Sequence, residues 1–303
     1  MKKAAISQRC PKPELPAQTR SLLRQFDLRA RKGLGQHFLI DAGVLEVILA
    51  AAELAPTDVV LEVGPGLGVL TRELARRAGR VIAVEIDDKL ASILTRELAS
   101  CDNVVIVNED ILKIDPVDLL QGQGNRFPPV TNPLKYKVVA NLPYYITSPV
   151  LRHFLTSSAK PQTMVVMVQK EVAKAITAVP GKMSILSISV QFYGEPRIVS
   201  YVPAECFYPA PEVDSAILRI NVYPQPPVPV TDERSFFELV RAGFSAARKQ
   251  IANSLAQGLG LPKTEVLYLL AEAGILPRRR AETLTIDEWA RLWQVRIRAG
   301  KPG

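Results

Sequence analysis

The sequence predicts an α/β protein with a mostly parallel sheet, followed by a small all-helical domain. From Val59 to about Val222, short apolar runs alternate with amphipathic segments, which is the pattern of strands and helices in a sheet covered on both faces. A proline-rich stretch, Tyr223–Pro229, ends this alternation, and helix-periodic segments follow it. The length of 303 residues agrees with about two domains.

Seven apolar runs are the predicted strands of the sheet. Helix-like segments or glycine turns separate the first five, and the proline-rich Pro203–Pro211 separates the last two. A seven-stranded, mostly parallel sheet is therefore expected. The predicted strands are Val59–Val63, Val81–Glu85, Val104–Val107, Val138–Ala140, Met164–Val168, Val199–Val202 and Ala216–Val222.

Helices are predicted where apolar residues recur at helical spacing between or after the strands. One of them would begin at Thr147 or Ser148, either of which can cap a helix, with Pro149 in the first turn. The Gly- and Pro-rich Gln121–Asn132 is predicted to be a surface loop. The other predicted helices are Val69–Ala78, Asp88–Leu98, Asp232–Gln257, Thr264–Ala273 and Ile286–Arg298.

The net charge of +8 is concentrated at the two ends of the chain. Residues 1–36 carry +7 and residues 231–303 carry +4, whereas residues 37–230 carry −3. This distribution suits a protein that binds a small ligand centrally and a polyanion with its ends, although solvated basic faces would give the same distribution. The predicted domains are a basic N-terminal arm at 1–20, an α/β domain at 21–223, a Pro-rich linker at 224–230 and a helical domain at 231–303.

Composition argues against several classes of protein. No apolar run approaches the length of a membrane span, and the first residues lack the apolar stretch of a signal peptide. With two histidines and three widely separated cysteines, no metal site is predicted. A cytoplasmic monomer that does not associate with membranes is expected.

A glycine loop and two carboxylates predict a nucleoside-binding site. The segment Gly64-Pro65-Gly66-Leu67-Gly68 follows a buried strand and opens a helix, and glycines at Gly64 and Gly66 let the backbone approach a ligand closely. Glu85 and Asp110 end or follow the next two strands, where Glu85 can accept hydrogen bonds from ribose hydroxyls. The G-x-G-x-G spacing favours S-adenosylmethionine over a dinucleotide. A tight turn with solvated carboxylates is the alternative.

The turn Asn141-Leu142-Pro143-Tyr144 follows the fourth strand and predicts chemistry on an aromatic amine. The Asn141 side-chain oxygen and the carbonyl oxygen of Leu142 or Pro143 can accept hydrogen bonds from an exocyclic NH₂ and direct its lone pair at a methyl donor. Tyr144 can stack on the base. The alternative is an ordinary turn with a buried aromatic residue.

These segments resemble the ribosomal RNA adenine N6-dimethyltransferases, the bacterial small-subunit type whose loss causes kasugamycin resistance. The resemblance runs from about Ser21 almost to the end of the chain. The segments that carry it are Gly33–Leu39, Leu61–Gly68, Val84–Asp87, Glu109–Ile111, Val139–Tyr144, Phe207–Leu218, Phe244–Leu255 and Arg280–Leu292.

The resemblance implies a Rossmann-like S-adenosylmethionine-dependent methyltransferase fold and a specific reaction. Two adjacent adenosines in a hairpin near the 3′ end of 16S rRNA would each receive two methyl groups on N6. The substrate would be the assembling 30S subunit, and the enzyme would take part in the biogenesis of the small subunit.

The resemblance also implies residue roles. His37 and Leu39 would contact the cofactor alongside Gly64, Glu85, Asp110 and Asn141, and His37 stands where the family more often has Asn. Phe207 would sandwich the target adenine opposite Tyr144. Basic residues that would contact RNA, unless they only form a solvated helix face, are Arg248, Lys249, Arg278, Arg279 and Arg280.

Three alternatives remain open at this point. The related large-subunit methylases that confer macrolide resistance share the glycine loop and the turn, but Phe244–Leu255 and Arg280–Leu292 speak against them. A non-catalytic RNA-binding factor for ribosome assembly could keep the fold, although Glu85 and Asn141 are both retained. A nicotinamide dehydrogenase is disfavoured by the glycine spacing.

Overall fold

The computed structural model describes residues 36–122 and 135–300. Three regions named above lie outside these residues: the predicted arm at 1–20, Gly33–Gly35 of the N-terminal segment, and most of the predicted loop at Gln121–Asn132.

A seven-stranded sheet forms the centre of the fold and confirms the predicted fold class. Its strands follow the order β4-β3-β2-β5-β6-β9-β7. The neighbours from β4 to β6 pair in parallel, and β9 pairs antiparallel with β6. The strands are β1 (Phe38–Leu39), β2 (Val59–Val63), β3 (Arg80–Glu85), β4 (Val104–Asn108), β5 (Lys137–Asn141), β6 (Thr163–Gln169), β7 (Gly194–Val202), β8 (Phe207–Tyr208) and β9 (Ser215–Val222).

The topology brings four strand ends to one edge of this sheet. Because β2, β3, β4 and β5 are parallel, their carboxyl ends lie side by side, and ligands of open α/β sheets bind outside that edge. The residues at or just after these ends are Gly64, Glu85, Asp110 and Asn141.

A two-stranded sheet, β1 with β8, was not predicted from the sequence. Phe38 pairs with Tyr208 and Leu39 with Phe207. The N–H of Ile40 also donates to the carbonyl oxygen of Cys206 at 2.9 Å. This pairing ties the N-terminal segment to the loop that precedes β9, 170 residues further along the chain.

The chain divides into two compact units, and the segment Lys174–Pro196 belongs to the second unit although it lies within the predicted α/β domain. The first unit comprises the residues up to Ala173 together with Arg197–Val222, and the second comprises Lys174–Pro196 and the chain from Tyr223 onward. Lys174–Pro196 joins the second unit because Phe192 stacks on Phe236 at 4.9 Å. No helix or strand covers the predicted linker at 224–230.

Helices cover the sheet in the first unit and build most of the second. Those of the first unit are α1 (Ala42–Ala52), α2 (Val69–Arg77), α3 (Asp88–Glu97), α4 (Pro116–Gln121) and α5 (Thr147–Thr156). After α6 (Lys170–Ile176), which crosses the boundary, come α7 (Ile185–Gln191), α8 (Glu233–Phe244), α9 (Ile251–Leu259), α10 (Lys263–Glu272) and α11 (Ile286–Ala299). Within the described ranges, no helix has both the length and the apolar character to cross a membrane.

The prediction of one continuous helix over Asp232–Gln257 is wrong. The chain turns between Phe244 and Ile251 and forms α8 and α9 instead. The two helices pack closely, since a Cβ added at Gly258 would lie 2.6 Å from the Ala242 Cα. Apolar spacing continues on both sides of the turn, so the periodicity of the sequence did not reveal the break.

Candidate functional site

A cavity of about 320 Å³ opens at the carboxyl edge of the sheet in the first unit. Its lining combines the ends of β2 to β5 with the segment at β1. Sequence-predicted residues that line it are His37, Leu39, Gly64, Gly66, Glu85, Asp110, Asn141, Leu142, Pro143 and Tyr144.

The glycine loop has the backbone conformation that the sequence predicts. Gly64, Gly66 and Gly68 have φ values of 66°, 58° and 74°, in the left-handed region that favours glycine. Gly68 also packs closely, because a Cβ there would lie 2.6 Å from a methyl group of Leu94. The backbone conformation therefore favours glycine at all three positions, and at Gly68 a larger residue would also displace the Leu94 side chain.

Glu85 holds the loop to the end of β3. One carboxylate oxygen accepts a hydrogen bond from the Gly66 N–H at 3.1 Å, and the other accepts from the Asp87 N–H at 2.9 Å. Burial raises the pKa of Glu85, and these backbone donors partly offset the rise. Each oxygen of a carboxylate can accept more than one hydrogen bond, so both remain able to bind ligand hydroxyls.

Asp110 has a structural partner as well as a place in the cavity lining. One of its carboxylate oxygens accepts from the Leu112 N–H at 3.0 Å and caps the 3₁₀ turn Ile111–Lys113. No donor between residues 36 and 122 or between 135 and 300 bonds to the other oxygen, which can accept from a ligand.

Glu62 is a cavity residue that the sequence reasoning missed. It lies within the apolar run of β2 and is 1% exposed, and its Oε2 atom has no hydrogen-bond partner among the described residues. Burial raises the pKa of Glu62 to about 8. The Thr71 hydroxyl partly offsets this rise, and the nearby Glu85 carboxylate adds to it. A charged residue inside an otherwise apolar strand was the signal that could have identified it.

The amide of Asn141 is oriented by the protein. Its Nδ2 atom donates to the carbonyl oxygen of His37 at 3.1 Å. No donor in the described part of the chain is hydrogen-bonded to the side-chain oxygen. The Pro143 carbonyl accepts from the Ile146 N–H at 3.2 Å, which leaves the Leu142 carbonyl as the better acceptor for a ligand amine.

Tyr144 is held from two sides. Its hydroxyl lies 2.6 Å from the Oγ atom of Ser215, and its ring stacks on His37 with 5.7 Å between centroids. The His37 Nδ1 atom donates in turn to the Pro209 carbonyl at 2.7 Å, because a carbonyl oxygen can only accept. Burial raises the pKa of Tyr144, so the phenol is neutral and can donate a hydrogen bond.

Phe207 is not among the residues that line the cavity, so the contact with the target adenine that the family resemblance implies stays a prediction. It is 2% exposed and belongs to the core cluster that contains Leu39 and Val202. In strand β8 the side chains alternate, so Phe207 points inward while Tyr208 is exposed. Of the two residues predicted to stack on the adenine, Tyr144 and Phe207, Tyr144 is the one that lines the cavity.

Two basic segments far apart in sequence come together in the second unit. The N–H of Ile251 donates to the Arg279 carbonyl at 2.6 Å, and that of Ala252 donates to the Pro277 carbonyl at 3.3 Å. The turn before α9 therefore lies beside the arginine segment. Its exposed cations are Arg248, Lys249, Arg278 and Arg280.

Arg279 differs from its neighbours because its guanidinium is engaged within the protein, and its RNA contact stays a prediction. Its guanidinium forms an ion pair with Glu288, with one N–H···O distance of 2.9 Å, and its Nε atom donates to the Thr283 hydroxyl at 3.1 Å. These bonds hold the guanidinium within the helical unit.

Metal ligands are not assembled in the described ranges. No group of three or more His, Cys, Asp or Glu side chains between residues 36 and 122 or between 135 and 300 could hold a metal ion.

The mostly parallel sheet, the glycine loop and the Asn-Leu-Pro-Tyr turn at one edge define a Rossmann-like methyltransferase. A model of the family described as ribosomal RNA adenine dimethylase matches residues 27–297. The chain belongs to this family.

Curated relatives resemble the chain over almost its whole length. A protein named ribosomal RNA small subunit methyltransferase A from Dehalococcoides mccartyi strain 195 is 55% identical over 280 residues, which are 92% of this chain and 93% of the relative. The protein of the same name from Moorella thermoacetica is 48% identical over 281 residues, which are 91% of this chain and 95% of the relative.

Two solved structures share the fold. The 23S rRNA methyltransferase ErmE is 31% identical with a TM-score of 0.66, covering 85% of this chain and 98% of ErmE. A dimethyladenosine transferase from Plasmodium falciparum is 24% identical with a TM-score of 0.69, covering 84% of this chain and 96% of that protein.

Proposed function

We propose that this protein transfers methyl groups from S-adenosylmethionine to N6 of two adjacent adenosines near the 3′ end of 16S rRNA, in the assembling 30S subunit. The observation that carries the proposal is the oriented amide of Asn141, which lines the same cavity as Tyr144 and Glu85. Family membership supports adenine in ribosomal RNA as the target.

The cavity suits a nucleoside cofactor. Glu85 keeps acceptor capacity for ribose hydroxyls while two backbone N–H groups hold its orientation. Asp110 offers a second acceptor, and the glycine loop gives close access to the backbone. When bound, S-adenosylmethionine supplies an electrophilic methyl group.

The chain's own residues would prepare the adenine amine. The lone pair of that amine is delocalised into the ring, so the nitrogen must become pyramidal before it attacks. In the first transfer, the Asn141 side-chain oxygen and the Leu142 carbonyl would accept hydrogen bonds from its two N–H groups and stabilise this geometry. In the second transfer, the methylated amine has one N–H left to donate. Tyr144, held by Ser215 and His37, would stack on the base and keep it in position.

The exposed cations of the helical unit support a polyanionic substrate. Arg248, Lys249, Arg278 and Arg280 would neutralise RNA phosphates. A folded ribosomal particle is a better substrate than an isolated hairpin, because it offers more shape for the protein to recognise.

Two other functions are less well supported. A 23S rRNA methylase is disfavoured because ErmE is 31% identical, whereas the relatives named small-subunit methyltransferase A reach 55%. A non-catalytic assembly factor would not need the Asn141 amide oriented by the His37 carbonyl.

The test is transfer of radiolabelled methyl groups to unmethylated 30S subunits, with 50S subunits and naked 16S RNA in parallel. We expect label in N6-dimethyladenosine from 30S subunits only. Label from 50S subunits alone would indicate the resistance-type methylase. Tight binding to 30S subunits without any label would indicate a binding factor.

A further inference from the structure

An exposed aromatic residue on β7 is not used by the site described above. Tyr201 is 50% exposed although it lies in a strand, and the Nζ atom of Lys170 lies 5.5 Å from the centroid of its ring. Val199, two residues earlier on the same face of the strand, is also exposed. β7 is the last strand in the order of the seven-stranded sheet, so one of its edges has no strand beside it in the described part of the chain.

A series of contacts through neighbouring side chains links Tyr201 to the turn Asn141–Tyr144. Lys170 forms an ion pair with Asp214 at 3.0 Å, and its backbone N–H donates to the Asp214 carbonyl, also at 3.0 Å. The next residue, Ser215, is fully buried and bonds to the Tyr144 hydroxyl. The exposed ring therefore lies at the same edge of the sheet as Tyr144.

The chemistry of this surface favours a nucleobase. Exposed aromatic rings beside a cation are the platforms on which unpaired bases stack, and stacking accepts any base. Asp214 already neutralises Lys170, so attraction for phosphate contributes little here. We infer that Tyr201, with Lys170 beside it, stacks a nucleotide that flanks the target adenosine, an inference that rests on the proposed function.

This contact would complement the cavity. A base that leaves its stack to enter the cavity loses interactions with its neighbours. A platform for the adjacent nucleotide would compensate for part of that loss and hold the strand in register. Tyr201 is thus a substrate-positioning residue, because it touches neither the cofactor nor the reacting amine.

The experiment compares Tyr201→Ala and Tyr201→Phe with the unaltered protein in methyl transfer to 30S subunits. Tyr201→Ala should raise the KM for the subunits about fivefold or more, the lower end of measured base–aromatic stacking, and leave the affinity for S-adenosylmethionine unchanged. Tyr201→Phe keeps the ring and should behave like the unaltered protein. Tyr268→Ala removes a similarly exposed tyrosine of the helical unit and is the matched control.

A second readout does not require catalysis. Unmethylated 30S subunits reconstituted with 16S rRNA that carries 2-aminopurine next to the target adenosine should lose fluorescence when the protein binds, because Tyr201 stacks on that base. Tyr201→Ala should abolish that loss. The salt dependence of binding should stay the same, because no phosphate contact is removed.

Failure of the inference and failure of the proposed function give different results. No methyl transfer by the unaltered protein would contradict the function, while the 2-aminopurine signal would still decide the role of Tyr201. An unchanged KM together with unchanged quenching in Tyr201→Ala would overturn the inference. An equal defect in Tyr268→Ala would also overturn it, because any exposed tyrosine would then serve.

Discussion

The side-chain nitrogen of Asn141 donates a hydrogen bond to the backbone carbonyl of His37 at 3.1 Å. This bond determines which end of the amide faces the cavity, because the donor end is already engaged. The side-chain oxygen is left as the acceptor for a substrate amine. The backbone carbonyl of His37 thus orients a side chain that lies 104 residues further along the chain.

Replacement of Asn141 should abolish most of the activity without unfolding the protein. We expect Asn141→Ala to lower kcat about 100-fold or more, comparable to the loss of one preorganised transition-state contact in other enzymes. Asn141→Asp should also be impaired, since a carboxylate oxygen would then face the His37 carbonyl. The measurement is single-turnover methyl transfer, with the melting temperature as control. An Asn141→Ala protein with near-normal kcat would contradict the proposed role.

Replacement of Glu85 should weaken cofactor binding. In Glu85→Gln, an amide nitrogen must face the N–H of either Gly66 or Asp87, and the charge that accepts ribose hydroxyls is lost. We expect the Kd for S-adenosylhomocysteine to rise about tenfold or more, as for a lost hydrogen bond to a charged group. Calorimetric titration measures this. Glu97→Gln, which alters an ion pair with Arg72 instead, is the matched control and should bind normally.

Glu62 should make folding stability fall with rising pH. Its pKa is about 8 in the folded protein against 4.5 as the ordinary value, so the folded state retains a proton that the unfolded state releases. Stability should therefore decrease between about pH 5 and pH 8, by up to about 1.4 kcal/mol per pH unit. Glu62→Gln carries no titrating group and should lack this component.

Chemical denaturation of both proteins across this range tests the prediction for Glu62. We expect the variant to gain stability relative to the unaltered protein as the pH rises. Parallel curves would mean that the Glu62 carboxyl is already ionised in the folded state at neutral pH.

Arg278 and Arg279 should behave differently although they are adjacent. Arg279→Ala removes the ion pair with Glu288 and the bond to Thr283, and should destabilise the protein by about 2 kcal/mol. Arg278 is exposed, so Arg278→Ala should leave the melting temperature unchanged. It should instead make the salt dependence of RNA binding weaker, with the negative slope of log K against log salt reduced in magnitude by about 1. Thermal unfolding measures the stability of the two variants, and salt titrations measure their RNA binding. Equal effects of Arg278→Ala and Arg279→Ala on the salt dependence of RNA binding would contradict the different roles assigned to these two residues.

Much of the site could be predicted because the carboxyl ends of parallel strands lie side by side. Residues that follow separate apolar runs in the sequence therefore come close together in the fold. Each of the first four strands of the large sheet was visible as an apolar run, and the residues after them necessarily meet at one edge. Gly64, Glu85, Asp110 and Asn141 were found in this way. Glu62 was not, because alternation within a strand does not reveal which buried position faces a cavity.

The sequence by itself determined the seven strands of the large sheet, the glycine turn and the polar residues at the strand ends, since these depend on local spacing. Only the tertiary structure decided which partners those residues have. Packing between distant segments buries Phe207 in the core, engages Arg279 with Glu288, and joins Lys174–Pro196 to the helical unit. The physical reason is that such contacts depend on the three-dimensional proximity of residues far apart in the chain, which local spacing does not encode.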